Sequence, residues 1–178
     1  MTAVLAAAAP RAEGLLLRPF LPRDAPALLE IHRDPTLRRF IRNQVNEPAD
    51  AARWLEDQER GRAEGSRYAF AVLEEGALVG NVVLKRGAPG SAGSEVGYWT
   101  AAAARGRGVA PRALAALTAW AGETFAADGL VRLDLFHEGD NQASCRVAEK
   151  AGYPFEALVP AAPPRYPGDG HWHSRPVR

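Results

Sequence analysis

Arg105-Gly106-Arg107-Gly108-Val109-Ala110 is the segment of this chain best equipped for chemistry. Glu95-Val96-Gly97-Tyr98-Trp99 before it reads as a strand, and Pro111-Arg112-Ala113-Leu114 after it as the opening of a helix. A strand, a Gly/Arg turn and a helix start together form an anion cradle. The first N–H groups of a helix lack internal partners, and the helix dipole adds partial positive charge at that end. Glycine lets the backbone approach a phosphate without a Cβ in the way, and arginine adds paired donors for phosphate oxygens. The segment is therefore expected to bind a phosphorylated ligand.

Two phosphate motifs fit poorly. No Lys follows the glycines, as a P-loop requires. A dinucleotide turn needs a third glycine where Pro111 stands, although Asp134 lies at a suitable distance for the acidic partner. A nucleotide-dependent enzyme using the same turn remains a rival reading.

Arg-x-x-Gly-x-Ala after Val-Gly-Tyr-Trp resembles the GNAT superfamily of acyl-CoA-dependent N-acetyltransferases. Asn141-Gln142-Ala143-Ser144 followed by Glu149-Lys150-Ala151-Gly152-Tyr153 is similar to a second block of that superfamily, and Leu15 to Phe20 with Asp24 to its first strand and helix. The likeness covers residues 14 to 160 and is strongest to the RimJ/RimL-like branch of ribosomal-protein N-terminal acetyltransferases.

The resemblance implies an α/β (α+β) fold, one domain over residues 14–178 behind a flexible tail at 1–13. Its central mixed, mostly antiparallel sheet would be splayed at a bulge on the fourth strand, with helices on both faces. It implies acetyl-CoA as cosubstrate and no metal. Arg105, Gly106, Arg107, Gly108, Val109 and Ala110 would hold the diphosphate; Gly97, Tyr98 and Trp99 the pantetheine and thioester; Asn141 the pantetheine arm. Glu95 is the candidate base and Ser144 the candidate acid. A tyrosine that many relatives carry further along the Asn141 helix falls at Ala148 here, so Ser144 or a water must serve the leaving thiolate. The acceptor would be a primary amine, of a peptide N-terminus or a small molecule, framed by Thr36 to Val45 and Tyr166 to Trp172. Arg38, Arg39 and Arg42 in the first of these frames favour an acidic acceptor. A homodimer is a family expectation. A non-catalytic acyl-CoA-binding module is the alternative, favoured by the vacancy at Ala148.

The rest of the chain must position these groups. Its 178 residues suit one domain. The net charge of +1 gives no case for nucleic acid or a membrane as partner. The single cysteine, Cys145, excludes an intrachain disulfide and suits a reducing cytoplasm. It reads as a small core residue rather than a nucleophile. Strands are expected at 15–20, 68–73, 78–84, 95–99, 130–136, 155–159 and, as a final edge strand, 171–177. Helices are expected after an N-cap at Asp24, at 48–63, at 108–126 and at 141–151, with Asp34-Pro35 closing the first. His171 and His173 share one face of the last strand; exposed edge histidines are expected there, with a two-ligand metal site as the alternative. His32 and His137 have no evident partner.

Overall fold

The computed structural model describes residues 9–88, 90–163 and 167–177. Eight strands form one sheet: β1 (Arg11–Ala12), β2 (Leu15–Pro19), β3 (Arg67–Glu74), β4 (Ala77–Arg86), β5 (Gly93–Thr100), β6 (Arg132–Glu138), β7 (Phe155–Val159) and β8 (Gly170–Pro176). Five α-helices accompany them: α1 (Ala25–Ile31), α2 (Pro35–Phe40), α3 (Pro48–Ala63), α4 (Val109–Phe125) and α5 (Gln142–Lys150). The strand order is β1-β2-β3-β4-β5-β6-β8-β7. Only β5 and β6 run parallel; every other neighbour pair is antiparallel.

Local chemistry accounts for most of these elements. The six central residues of β3, Tyr68 to Leu73, are all buried, because helices cover both faces of the sheet centre. Glu75 and Gly76 both adopt positive φ, 51° and 82°, so the β3–β4 hairpin closes through a mirror-image turn whose twist matches its strands. Pro48 stands at the first position of α3, and Gly129 closes, in a left-handed conformation, the 3-10 turn Ala126–Asp128 that follows α4.

The core has two parts. On one face α4 and α5 cover Leu17, Phe70, Val82, Leu84, Val96 and Leu135. Tyr68, Phe70, Trp120 and Phe125 meet there mostly edge to face, with ring centroids 5.0–5.5 Å apart. On the other face α1, α2 and α3 close over Trp99 with Leu28, Leu37, Val45 and Ala51.

Several sequence expectations require correction. Residues 11 and 12, assigned to the flexible tail, pair with Leu16 and Leu15 as β1, and Arg112 donates to the Glu13 carbonyl at 2.8 Å; residues 1–8 lie outside the described residues. The expected fourth strand is consequently β5. Asp34-Pro35 closes α1 but also starts α2, because the Asp34 carboxylate accepts from Thr36 N and Leu37 N at 3.1 Å each. Asp24 makes no side-chain cap of α1. Its carboxylate instead accepts from Arg18 at 2.7 and 2.8 Å and from Leu21 N at 2.8 Å. The last strand is internal: β8 lies between β6 and β7, and the exposed β7 is the edge.

Tyr153, fully buried just after α5, shows how α5 is tied down. Its hydroxyl lies 2.6 Å from Thr118 Oγ1, which itself donates to the Leu114 carbonyl on α4 at 2.8 Å. That leaves the tyrosine as donor between them. Tyr153→Phe removes one buried hydrogen bond and should cost about 1 kcal/mol in urea unfolding. Tyr153→Ala should cost about 3–5 kcal/mol, because a cavity opens under α5.

Candidate active site

The sheet forks at β5. Its parallel pairing with β6 runs from Gly93–Arg132 to Val96–Leu135 and then stops. Beyond that point β5 stays with β4 as far as Thr100 opposite Gly80. β6 stays with β8 as far as Glu138 opposite Gly170. The expected bulge on this strand is not what opens the fork, since the β4–β5 register is unbroken. Each arm is instead held along its full length by its antiparallel partner, and strand twist carries the two apart. Gly97 to Thr100 therefore have no strand partner on the β6 side.

This free edge leads, through a short 3-10 turn at Ala102–Ala104, directly into the Arg105–Gly108 turn. Gly106 and Gly108 take φ of 76° and 75°, and a Cβ built on either meets nothing within 4 Å. Glycine is required there by backbone conformation, and the space in front of both stays open. Gly108 caps α4 without any side-chain hydrogen bond, so the first N–H groups of the longest helix face that space. The side chains of Val109 and Ala110 are buried in the core, which leaves only their main chain for a ligand.

The arginines of the turn are already engaged. Arg105 pairs with Asp34, the cap of α2. Burial acts to raise the Asp34 carboxyl, but Arg105 and the Thr36 and Leu37 amides outweigh it and hold the group below the usual carboxylate range. Arg107 pairs with Glu74 of the β3–β4 hairpin at 2.8 Å, and Arg112 reaches the same carboxylate at 3.5 Å. Neither Asp34 nor Glu74 was singled out from the sequence, because only the folded topology brings the hairpin and α2 to the turn.

The faces of β5 divide the other residues. Tyr98 points toward α5, where its hydroxyl donates to Ser144 Oγ at 2.9 Å. Burial pushes the Tyr98 phenol up to about 12, so it stays protonated. Asn141 caps α5 by accepting from Ser144 N at 3.1 Å. Ala148, also on α5, is fully buried in the core. Glu95, Gly97 and Trp99 face the opposite way. Trp99 is buried with its ring edge-on to His32, centroids 5.7 Å apart. Glu95 is half-exposed and ion-paired with Lys85, its direct neighbour across β4. Asp134 stands opposite Glu95 on β6 and accepts from Trp172 Nε1 at 2.8 Å, with Phe136 stacked on Trp172.

Of the expected acceptor frames, the first includes α2 and the residues after it. Arg39 of α2 pairs with Asp140 of the β6–α5 turn and so bridges the two arms. Arg38 donates to the His32 carbonyl at 3.3 Å. Tyr166 lies outside the described residues, whereas Trp172 belongs to β8 rather than to a loop.

Residues 14–154 match the acetyltransferase (GNAT) domain family. The chain belongs to that family. Its fold is similar to that of a RimL ribosomal L7/L12 α-N-protein acetyltransferase in complex with coenzyme A, the coenzyme joined to a cysteine by a disulfide. The TM-score there is 0.83 at 19% identity, over 94% of this chain and 97% of that one. It is also similar to a putative ribosomal-protein-serine acetyltransferase from Vibrio cholerae, with TM-score 0.81 and 22% identity over 95% and 97% of the two chains. The microcin C7 self-immunity acetyltransferase MccE, in complex with acetyl-CoA and AMP, gives TM-score 0.81 and 16% identity over 93% of each chain. No curated protein sequence matches the chain. No helix among the described residues is long and apolar enough to cross a membrane.

Within this GNAT domain His32 is a buried titratable group beside the fork. Its Nδ1 accepts from Val45 N at 3.2 Å, and its Nε2 has no hydrogen-bond partner among the described residues. Burial, with Arg38 nearby, lowers its pKa to about 4. A depressed histidine pKa stabilises the fold at pH above the unfolded value near 6.5, and the contribution fades as pH falls toward 4. Urea unfolding between pH 7 and pH 4 should show wild type losing roughly 2–3 kcal/mol more than His32→Gln. Parallel pH profiles for the two proteins would refute the assignment.

Proposed function

We propose that this chain transfers an acetyl group from acetyl-CoA to a primary amine, which attacks the thioester directly while both substrates are bound. The observation that carries the reading is the free edge of Gly97 to Trp99 running into the glycine turn that opens α4. An extended pantetheine arm pairs with such an edge as an added strand would. The diphosphate then falls on the amides from Arg105 to Ala110, where the α4 dipole favours negative charge. The ion pairs of Arg105 and Arg107 are partly exposed, a class worth about 0–1 kcal/mol each. Both guanidiniums can therefore turn to phosphate at little cost.

Asn141 spends its side-chain oxygen on the α5 cap, and its amide hydrogens stay available to the pantetheine arm. A main-chain N–H at the fork polarises the thioester carbonyl. Ser144 receives the Tyr98 proton on a lone pair, which frees its own hydrogen for the departing thiolate. Tyr98 thus supports the acid role that Ala148 cannot fill. Glu95, with Asp134 opposite, relays the proton of the attacking amine. An α-amine, with a pKa of about 7.7–8.0, needs only modest help from such a base at neutral pH. The acceptor we favour is a peptide N-terminus; the fold neighbours named for ribosomal-protein acetylation support this choice. Arg38 donates to the His32 carbonyl and Arg39 pairs with Asp140, an exposed pair that an acidic acceptor can displace as readily as phosphate displaces those of Arg105 and Arg107.

Release of CoA over a panel of amines and peptides tests the reading. Turnover is expected on at least one acceptor; tight acetyl-CoA binding with no turnover on any would favour the binding module instead. A Cβ at Gly97 meets only Val83 Cγ1, at 3.4 Å, so Gly97→Ala should fold normally yet raise KM for acetyl-CoA at least ~10-fold. Glu95→Gln should lower kcat/KM about 10- to 100-fold at pH 7, with recovery near pH 9 as the amine deprotonates unaided. A loss that persists unchanged at pH 9 would remove Glu95 from the proton path.

A further inference from the structure

Three imidazoles and the chain's one thiol converge behind the fork. The β6–β8 register sets His137 opposite His171 and Leu135 opposite His173, which brings all three rings to the sheet face that α5 covers. α5 lays Cys145 over them. His137 Nε2 lies 3.1 Å from His173 Nε2; Cys145 Sγ lies 3.2 Å from His171 Nδ1 and 3.6 Å from His137 Nε2. One donor atom from each of the four residues falls within 4.8 Å of all the others. Around a tetrahedral zinc ion, with Zn–N of about 2.0–2.1 Å and Zn–S of about 2.3 Å, neighbouring ligand atoms stand roughly 3.3–3.7 Å apart. Three of the cluster's contacts, at 3.1, 3.2 and 3.6 Å, stand near that spacing, and the other pairs lie within 4.8 Å.

A second observation concerns protons. His137 Nδ1 lies 2.8 Å from the Glu138 carbonyl, and His173 Nδ1 lies 3.1 Å from the Tyr153 carbonyl. A carbonyl only accepts, so both rings carry their hydrogen on Nδ1. Both Nε2 atoms then present lone pairs to one another at 3.1 Å, an arrangement that a metal ion or a shared proton between them relieves. A backbone carbonyl fixing the far nitrogen is also the usual outer support of a metal-binding histidine.

We propose that His137, Cys145, His171 and His173 bind one transition-metal ion of the zinc class in a closed, four-ligand structural site. The imidazoles are nitrogen donors and the thiolate a soft sulfur donor, a set suited to zinc rather than to magnesium or calcium. Four protein ligands leave no open position for a substrate, so the ion clamps rather than catalyses. It pins α5 to β6 and β8. Cys145 follows Ser144 in sequence, so the same clamp fixes the hydroxyl that meets Tyr98. Phe155 closes the outer side, edge-on to His171 and His173 at 5.3 and 5.7 Å.

Elemental mass spectrometry on full-length protein, purified without a polyhistidine tag, should find about one zinc per chain. Cys145→Ala and His171→Ala, both at half-buried positions, should lower the content at least ~10-fold while circular dichroism stays that of a folded protein. Cobalt substituted for zinc should give a sulfur-to-metal charge-transfer band that Cys145→Ala abolishes. A chelator should lower the thermal midpoint of wild type but not of Cys145→Ala. Folded wild-type protein that takes up neither zinc nor cobalt would overturn the site, as would a cobalt spectrum unchanged in Cys145→Ala. Acetyl-CoA binding, measured on the same samples, reports separately on the proposed transferase activity.

Discussion

One interruption in hydrogen bonding organises this molecule: the four-residue parallel ladder between β5 and β6 that ends at Val96 and Leu135. Parallel strands need a long crossover, and α4 supplies it, so the strand leaving the fork must pass through a helix start before the chain can return. The anion cradle and the open strand edge are consequently adjacent by topology. Had the ladder continued to Thr100, the edge would be filled and the glycine turn would face a closed sheet. The antiparallel partners of each arm, β4 and β8, make the interruption tolerable, because each strand keeps one complete ladder.

In the proposed reaction the two faces of β5 separate the two halves of the transfer. Tyr98 ties the strand to α5 and to the residues suited to a leaving group. Glu95 and Gly97 lie on the opposite face, where Glu95 stands across from Asp134 on β6. Ion pairs link the parts of this arrangement: Arg105 with Asp34, Arg39 with Asp140 and Arg107 with Glu74 each join segments distant in sequence. They are weak individually, which suits the proposed entry of a charged cosubstrate.

The sequence was legible wherever a local pattern decides the outcome. Alternation, apolar runs and Gly or Pro punctuation mark β2 to β8, α3, α4 and α5, and the glycines of the Arg105–Gly108 turn announce the cradle. What stayed hidden depends on neighbours. Periodicity says nothing about strand order, so β8 read as an edge although it is internal. Pro35 was read only as a stop, yet a proline also suits a first helical position. The histidines illustrate the limit best. His137 and His173 lie 36 residues apart, and Cys145 and His171 lie 26 apart, so only the β6–β8 register and the seat of α5 bring them together. His173, expected at the surface, is buried. The Lys85–Glu95 pair was likewise invisible until the β4–β5 register placed the two residues side by side.

The two margins of the sheet are finished differently. At one end β1 is two residues long, too short to template a further strand, and Arg112 fastens the chain beside it. At the other end β7 is five residues long, with Phe155 and Leu158 open to solvent at 50% and 62% exposure. An outer strand with unspent amide and carbonyl groups and apolar side chains is the natural place for one chain to zip onto another. Among the described residues, the margin farthest from β1 is therefore the one whose outermost strand presents several large apolar side chains to solvent.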